Sequence, residues 1–354
     1  MHATTIGLDL AKSIFQVHGV DPRGKVVVIK RLRRDAVLGF FATLPPCVVG
    51  MEACATAHHW ARQIAKFGHT VHLMPPQYVK PYVKRHKNDQ ADAEAICEAV
   101  QRPNMRFVPV KTEEQQGILV IHRVRGTLVH QKTQLINALR GHLAEFGIVA
   151  PKGACKVVEL TARLADPGEE RLPEMARALL QVLVDQLRDT ERRIADLDAR
   201  LREQAKQNES CRRLMTIPGV GPITATALAA TIGDGKAFTS GRHLAAWLGL
   251  VPRQHSSGGK EHLGGVSKAG DGYLRCMLVN GARAVLRWCR TSSPWLAKLL
   301  ERRPVNVAVV ALANKTARIV WAVLTRGEAY RCPATSRTGP SAFSVQRECT
   351  FQRQ

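Results

Sequence analysis

The sequence predicts an α/β domain followed by two mainly helical units, and three observations predict it. Short alternating strand-like and helix-like segments run from Thr4 to about Pro109. Long helical runs with few turn signals occupy residues from about Glu113 to Asn208. A basic stretch punctuated by glycine then extends from 210 to about 327. A chain of 354 residues exceeds the usual size of a single hydrophobic core, so several folding units are expected.

In the first unit, residues 1–110, segment 4–9 reads as a strand, 14–20 as a second and 25–32 as a third. The Asp21-Pro22-Arg23-Gly24 turn closes a hairpin between the second and third. Residues 47–52 form a fourth, apolar strand, a helix follows over about 55–67, and 71–74 is a fifth strand. Three antiparallel strands followed by strand, helix, strand is the order of a ribonuclease-H-like α/β domain.

In residues 111–209, Leu180, Leu187, Ile194 and Leu201 recur every seven positions, with Leu183 and Leu197 at d-type positions between them. This predicts a coiled-coil seam, weakened at Thr190 and Gln204. It suits a helix packed within one subunit and a subunit interface equally well; the latter would make the protein a homo-oligomer, dimer or tetramer. An earlier helix over about 114–146 is expected to pack against it as an antiparallel hairpin. Residues 210–327 form a third, mainly helical unit. Residues 328–354, rich in Pro, Ser, Thr and Arg with little apolar periodicity, predict a mobile tail.

The formal net charge of +23 predicts a long polyanion as partner, because an enzyme for small neutral substrates gains nothing from such self-repulsion. Fifteen Lys or Arg fall between Lys236 and Arg326. Neither end carries a lipidation signal or a basic amphipathic helix, and no apolar run approaches a membrane span, so nucleic acid is favoured over a membrane. The N-terminus shows no signal peptide. The nine cysteines are scattered, odd in number and never in a C-x-x-C pair, which argues against a disulfide framework or zinc ribbon. A cytoplasmic protein is expected.

Asp9 and Glu52 each close an apolar strand, so adjacent strands would bring them to the same end of one sheet. Asp89 and Asp92 stand three apart at a helix start and face one side. Four converging acids repel one another unless cations neutralise them, and two Mg²⁺ or Mn²⁺ ions would also stabilise the attacking and leaving oxygens of a phosphodiester displacement. Taken alone, Asp89 and Asp92 equally suit an N-cap and a solvated first-turn acid. Asp9 alone would suit the phosphate hairpin of a sugar kinase or actin-like ATPase, but the second, glycine-rich phosphate loop of that fold is missing. The set of four favours the nuclease-type reading.

Ile217-Pro218-Gly219-Val220-Gly221-Pro222 resembles a helix-hairpin-helix turn, in which Gly219 and Gly221 let main-chain N–H groups approach a phosphate. An ordinary tight turn is the alternative. Farther on, Ser256 and Ser257 lie in a glycine-rich basic block with Arg253, Lys260, Lys268 and Arg275. Composition alone reads as a linker. The surrounding cations, however, suit a scissile phosphate, and a serine hydroxyl there would conserve the bond energy of a cut strand as a phosphoserine ester.

Together, Ile6-Gly7-Leu8-Asp9, Gly50-Met51-Glu52-Ala53, Lys87-Asn88-Asp89-Gln90-Ala91-Asp92-Ala93 and the block from Gly249 to Lys260 resemble the IS-one-ten family of insertion-sequence transposases, most closely its IS-eleven-eleven subgroup. The likeness covers about residues 3–330. It implies a RuvC-like N-terminal domain whose DEDD set is Asp9, Glu52, Asp89 and Asp92, a coiled-coil region, and a C-terminal transposase domain with a catalytic serine. That serine corresponds to Ser257, with Ser256 as the fallback. The resemblance further implies donor and target DNA as substrates and a structured bridge RNA as guide. Asn88 stands where many relatives carry Thr, a change expected to be neutral. The rival readings are a site-specific DNA invertase of the same architecture, a Holliday-junction resolvase-like nuclease using only the acids, and a non-catalytic nucleic-acid-binding protein.

Overall fold

The computed structural model describes residues 2–84, 88–151, 153, 157–288 and 294–331; Lys87 and residues 332–354 of the expected tail lie outside them. The N-terminal sheet is built from β1 (Thr5–Asp9), β2 (Ile14–Val20), β3 (Val26–Arg33), β4 (Val48–Glu52) and β5 (Thr70–Met74), in the order β3-β2-β1-β4-β5. The first three strands form an antiparallel meander, while β4 and β5 run parallel to β1. At the β2–β3 turn, Asp21 Oδ1 accepts from the backbone N–H groups of Arg23 and Lys25, each at 2.9 Å, and Gly24 takes φ +78°. The parallel pair needs a crossover, supplied by α2 (Ala57–Ala65), which follows α1 (Val37–Ala42) in the chain. The sequence does not announce α1 or the later α3 (Pro76–Val79), because neither reaches two full turns and no helical period registers.

One sheet face buries Ile6, Leu8, Phe15, Val17, Val49 and Met51 against Phe41, Trp60 and Ile64. The other carries α4 (Asp89–Val100), which crosses two glycines paired in register, Gly7 of β1 and Gly50 of β4. A Cβ on Gly7 would lie 2.1 Å from the Ala93 carbonyl oxygen, and one on Gly50 2.8 Å from Val100 Cβ. The bare backbone at this pair is what lets α4 lie so close to the sheet.

The middle region is an antiparallel pair of α5 (Glu113–Ala144) and α7 (Glu174–Gln207), with α6 (Val157–Ala165) between them in sequence. Arg125 pairs with Asp198, and Lys132 with Glu191 at 2.8 Å. Leu180 and Leu187 of the heptad stripe, with Val184 beside them, are buried against Leu139 and Leu143 of α5 and against α6. That part of the stripe is therefore filled from within the chain.

The C-terminal unit comprises α8 (Glu209–Leu214), α9 (Pro222–Ile232), α10 (Gly241–Trp247), the hairpin of β6 (Pro252–Gln254) and β7 (Leu263–Val266), α11 (Gly272–Trp288), α12 (Pro294–Arg302) and α13 (Val305–Arg326). By length and composition α13 could cross a membrane, which corrects the expectation that no apolar run is long enough. Its apolar side, including Ala313, Ala317 and Val320, lies in the core of this unit. The glycine turn joins α8 to α9, but Gly219, at φ +84°, meets another helix: its Cβ would lie 2.7 Å from the Gly281 carbonyl oxygen of α11. This face of the turn is an internal helix contact, as in the ordinary tight turn. A Cβ on Gly221 would meet open space.

His122 of α5 joins the middle region to the C-terminal unit. Its Nδ1 lies 3.0 Å from the Tyr273 hydroxyl and its Nε2 3.0 Å from Thr226 Oγ1. Burial, with help from Arg125, lowers its pKa to about 4. The unfolded chain therefore binds the extra proton between about pH 6.5 and 4, and this contribution to stability is lost as pH falls through that window. Replacing His122 with Ala removes both contacts and leaves a cavity, at an expected cost of about 2–4 kcal/mol. Urea unfolding at pH 7 and pH 5 measures it: an unchanged midpoint at pH 7 contradicts the assignment.

Candidate active site

Asp9 and Glu52 end the neighbouring parallel strands β1 and β4, whose register pairs Leu8 with Met51. Helix α4 runs back over β1, so Ala93 above Gly7 carries the first turn of the helix toward Asp9. Asn88 caps that helix, its Oδ1 accepting from the Ala91 N–H at 2.8 Å. The cap is thus the residue before the acids, as a Thr at this position would also provide, and Asp89 and Asp92 both lie in the first turn.

The four acids meet electrostatically at Asp9. Its pKa is pushed up to about 6, first by burial and then by the charges of Asp92, Asp89 and Glu52, while a hydrogen bond from the Leu10 backbone opposes the rise. Among the described residues, no group of three or more His, Cys, Asp or Glu side chains is arranged to hold a metal ion. The acids are neighbours rather than a finished coordination sphere. An all-carboxylate set with excess negative potential nevertheless fits a hard divalent cation by donor type and charge.

Ionised Asp9 destabilises the fold above about pH 6, and the penalty is relieved as pH falls toward 4. Asp9→Asn should stabilise the metal-free protein at pH 8 by about 1 kcal/mol after solvent screening, and Mg²⁺ should raise the melting temperature of wild type more than that of the variant. Equal responses to Mg²⁺ in differential scanning fluorimetry would count against cation binding here.

Cys54 beside the acids, and a cluster around His58 on α2, were not singled out from the sequence. Burial, Glu52 and Asp9 raise the Cys54 thiol pKa. On α2, burial, Lys111, Arg62 and Arg123 lower the His58 pKa to about 4. Arg62 Nη1 donates to the Lys111 carbonyl at 2.6 Å, and the Lys111 N–H donates to His58 Nδ1 at 3.2 Å. Proximity to Glu52 in the chain was the only sequence signal, and only for Cys54 and His58.

Ser256 and Ser257 lie on an ordered hairpin rather than in a linker. Gly258 and Gly259, at φ +55° and +77°, are the left-handed central pair of its tip, and the Lys260 N–H donates to the Ser257 carbonyl at 3.1 Å. Ser256 Oγ accepts from Gln254 Nε2 at 3.1 Å and from the His262 N–H at 3.3 Å. Ser257 is exposed, and its hydroxyl has no partner among the described residues. Arg253, Lys260 and Lys268 are exposed around the hairpin. Arg275 is engaged, its Nη1 donating to the carbonyls of Leu248 (3.0 Å) and Ala269 (2.7 Å), so it braces the base of the hairpin. The structure thus gathers the four acids in one unit and places the serine on another.

Comparison with known proteins gives two family matches. Residues 6–148 match a transposase family named for a DEDD acid set and IS110, and residues 211–300 match the "Transposase IS116/IS110/IS902 family". A "Probable family 20 transposase" of Pseudomonas aeruginosa is 51% identical over 94% of this chain and 99% of its own length. The "Transposase for insertion sequence element IS1111A" of Coxiella burnetii is 46% identical over 93% of this chain and 92% of its own. More distantly, the "Pilin gene-inverting protein" of Moraxella bovis is 24% identical over 77% of each chain. The chain belongs to the IS116/IS110/IS902 family of transposases, enzymes that cut and rejoin DNA.

Proposed function

We propose that this transposase excises and inserts an insertion sequence by joining DNA strands through Ser257, with a divalent-metal site at Asp9, Glu52, Asp89 and Asp92 and a structured bridge RNA as guide. The observation that carries the reading is the convergence of the four acids, on two strands and one helix, around an Asp9 whose pKa is raised to about 6. A bound divalent ion pair would supply charge for the attacking and leaving oxygens. The chain's own part is to hold the acids at the ends of the central strands β1 and β4 and at the start of α4, and to present Ser257 on a braced hairpin. The Ser257 hydroxyl loses its proton and attacks phosphorus; the Oγ–P bond forms, one P–O bond of the DNA strand breaks, and the departing deoxyribose oxygen takes up a proton. Attack on the phosphoserine by a second strand end reverses the step with new partners. The free hydroxyl of Ser257, against the engaged one of Ser256, favours Ser257 as nucleophile.

A site-specific invertase is the second reading, favoured by the likeness to the pilin gene-inverting protein. Both readings share the strand chemistry. The experiment is recombination by purified protein on supercoiled donor and target DNA, with and without RNA transcribed from the flanks of the gene. Joining that requires the RNA, and moves to a new target when the pairing loop of the RNA is altered, is the expected result. Equal joining without RNA overturns guidance, and inversion without excision transfers the assignment to the invertase.

A further inference from the structure

Beside the hairpin base, α10, α12 and α13 wall an open cleft of about 1550 Å³. It exceeds the ~300–1,000 Å³ of a typical small-molecule pocket, which suits an extended ligand. Five cations line it (Arg242, Lys315, Arg318, Arg326 and Arg331) against one carboxylate, Glu328. The charge follows from α13 itself: its apolar side is buried in the core, and Lys315, Arg318 and Arg326 are exposed. From Lys315 to Arg326 the helix rises about 16 Å, so the positive charge tracks along a line rather than marking one point.

Aromatic rings stand in the same cleft. Trp295 of α12 is 41% exposed, and Lys315 Nζ lies 4.6 Å from its ring centroid. Trp321 is held by its indole N–H, which donates to the Phe238 carbonyl at 3.0 Å. Asn306 and Asn314 add side-chain amides to the lining. A cationic track combined with an exposed aromatic ring, here Trp295, is how proteins bind single strands, whose bases are free to stack. A duplex hides its base faces and would use the cations alone.

We infer that this cleft is a binding site for a single-stranded segment of nucleic acid, with the phosphates on Lys315, Arg318 and Arg326 and an unpaired base stacked on Trp295. It rests on the nucleic-acid reading of the protein but on none of the strand chemistry. A displaced DNA strand and an unpaired RNA segment offer the same phosphates and base faces. The lining of the cleft includes Pro252 and Gly264 to Val266, so it opens beside the base of the hairpin whose tip carries Ser257.

The test uses the full chain in EDTA, so that binding is read with no cleavage and a failed catalytic assignment leaves it intact. Fluorescence anisotropy at 150 mM salt measures affinity for labelled 12-mers of oligo(dT) and oligo(rU) and for a 12-base-pair DNA duplex. Trp295→Ala combined with Arg318→Ala should weaken at least one single-strand arm by about tenfold or more while changing the duplex by less than about twofold. Loss confined to oligo(dT) assigns a displaced DNA strand; loss confined to oligo(rU) assigns an RNA segment. Unchanged affinity in both single-strand arms, or equal losses with the duplex, overturns the site. Should the double variant fail to fold, photocrosslinking of wild type to 4-thiothymidine and 4-thiouridine oligomers decides: adducts on Trp295 or Tyr330 support the cleft, and adducts only elsewhere overturn it.

Discussion

Alanine at Asp9, Glu52 or Asp92 is expected to lower recombination by at least about 10²–10³-fold while leaving the fold and most nucleic-acid binding in place. If the site holds two cations, each of these carboxylates supports charge on both the attacking and leaving oxygens, and losing one ligand disables the set. The fold should survive, because α4 is seated by Ala93, Cys97 and Val100 on the glycine pair rather than by its acids. Removing a carboxylate that others repel also relieves strain in the metal-free protein. Binding should survive because the excess of cations over acids is greatest in residues 236–326, which hold fifteen Lys or Arg and none of the four acids. Strand joining on supercoiled substrate measures the first effect, and anisotropy with duplex DNA the second. Full activity in EDTA, or in a protein carrying both Asp9→Ala and Asp92→Ala, would remove the metal site from the mechanism.

The second large effect concerns Ser257. Its hydroxyl is a poor nucleophile at neutral pH and needs a nearby base or a field that favours the alkoxide as it forms. Exposed Arg253, Lys260 and Lys268 supply positive charge around the hairpin, and the acid unit of the same or a neighbouring subunit would complete the site. Ser257→Ala should therefore abolish strand joining, and wild type stopped in mid-reaction should carry DNA on this serine. Ser256→Ala should be milder in chemistry, although it removes two hydrogen bonds that shape the hairpin. Denaturing electrophoresis with labelled substrate, followed by mass spectrometry of the adduct, reads the outcome. An active preparation with no adduct, or a Ser257→Ala protein that joins normally while Ser256→Ala does not, would displace Ser257 as nucleophile.

The strands were legible because alternation and turn chemistry are local. The expected 14–20 segment is β2, and the others differ by a residue or so at their ends, where pairing partners rather than propensity decide. The hairpin carrying the serines was not legible. Ser-Ser-Gly-Gly has the composition of a linker, and what orders it is remote in sequence: the Ser267 N–H donates to the Val251 carbonyl at 2.8 Å, and Arg275 braces the carbonyls of Leu248 and Ala269. The heptad stripe was legible as a stripe but not as to its partner, since Leu180 and Leu187 look alike whether the facing helix comes from this chain or another. Only the packing of Leu139 and Leu143 against them shows that α5 covers them.

By itself the sequence determined the succession of strands along the chain, the placing of Asp9 and Glu52 at strand ends, the paired acids at a helix start and the concentration of positive charge in residues 236–326. Each of these is carried by residue type and short-range period. Only the tertiary structure decided that α4 lies on Gly7 and Gly50, and so that the charges of half-buried Asp92 and exposed Asp89 reach Asp9. It also decided that Gly219 meets Gly281, that Arg275 is a brace, and that α13 turns one face to the core and lines a cationic cleft with the other. The physical reason is common to all of them: a side chain's periodicity is set by its own backbone, whereas the surface it meets is set by long-range close packing.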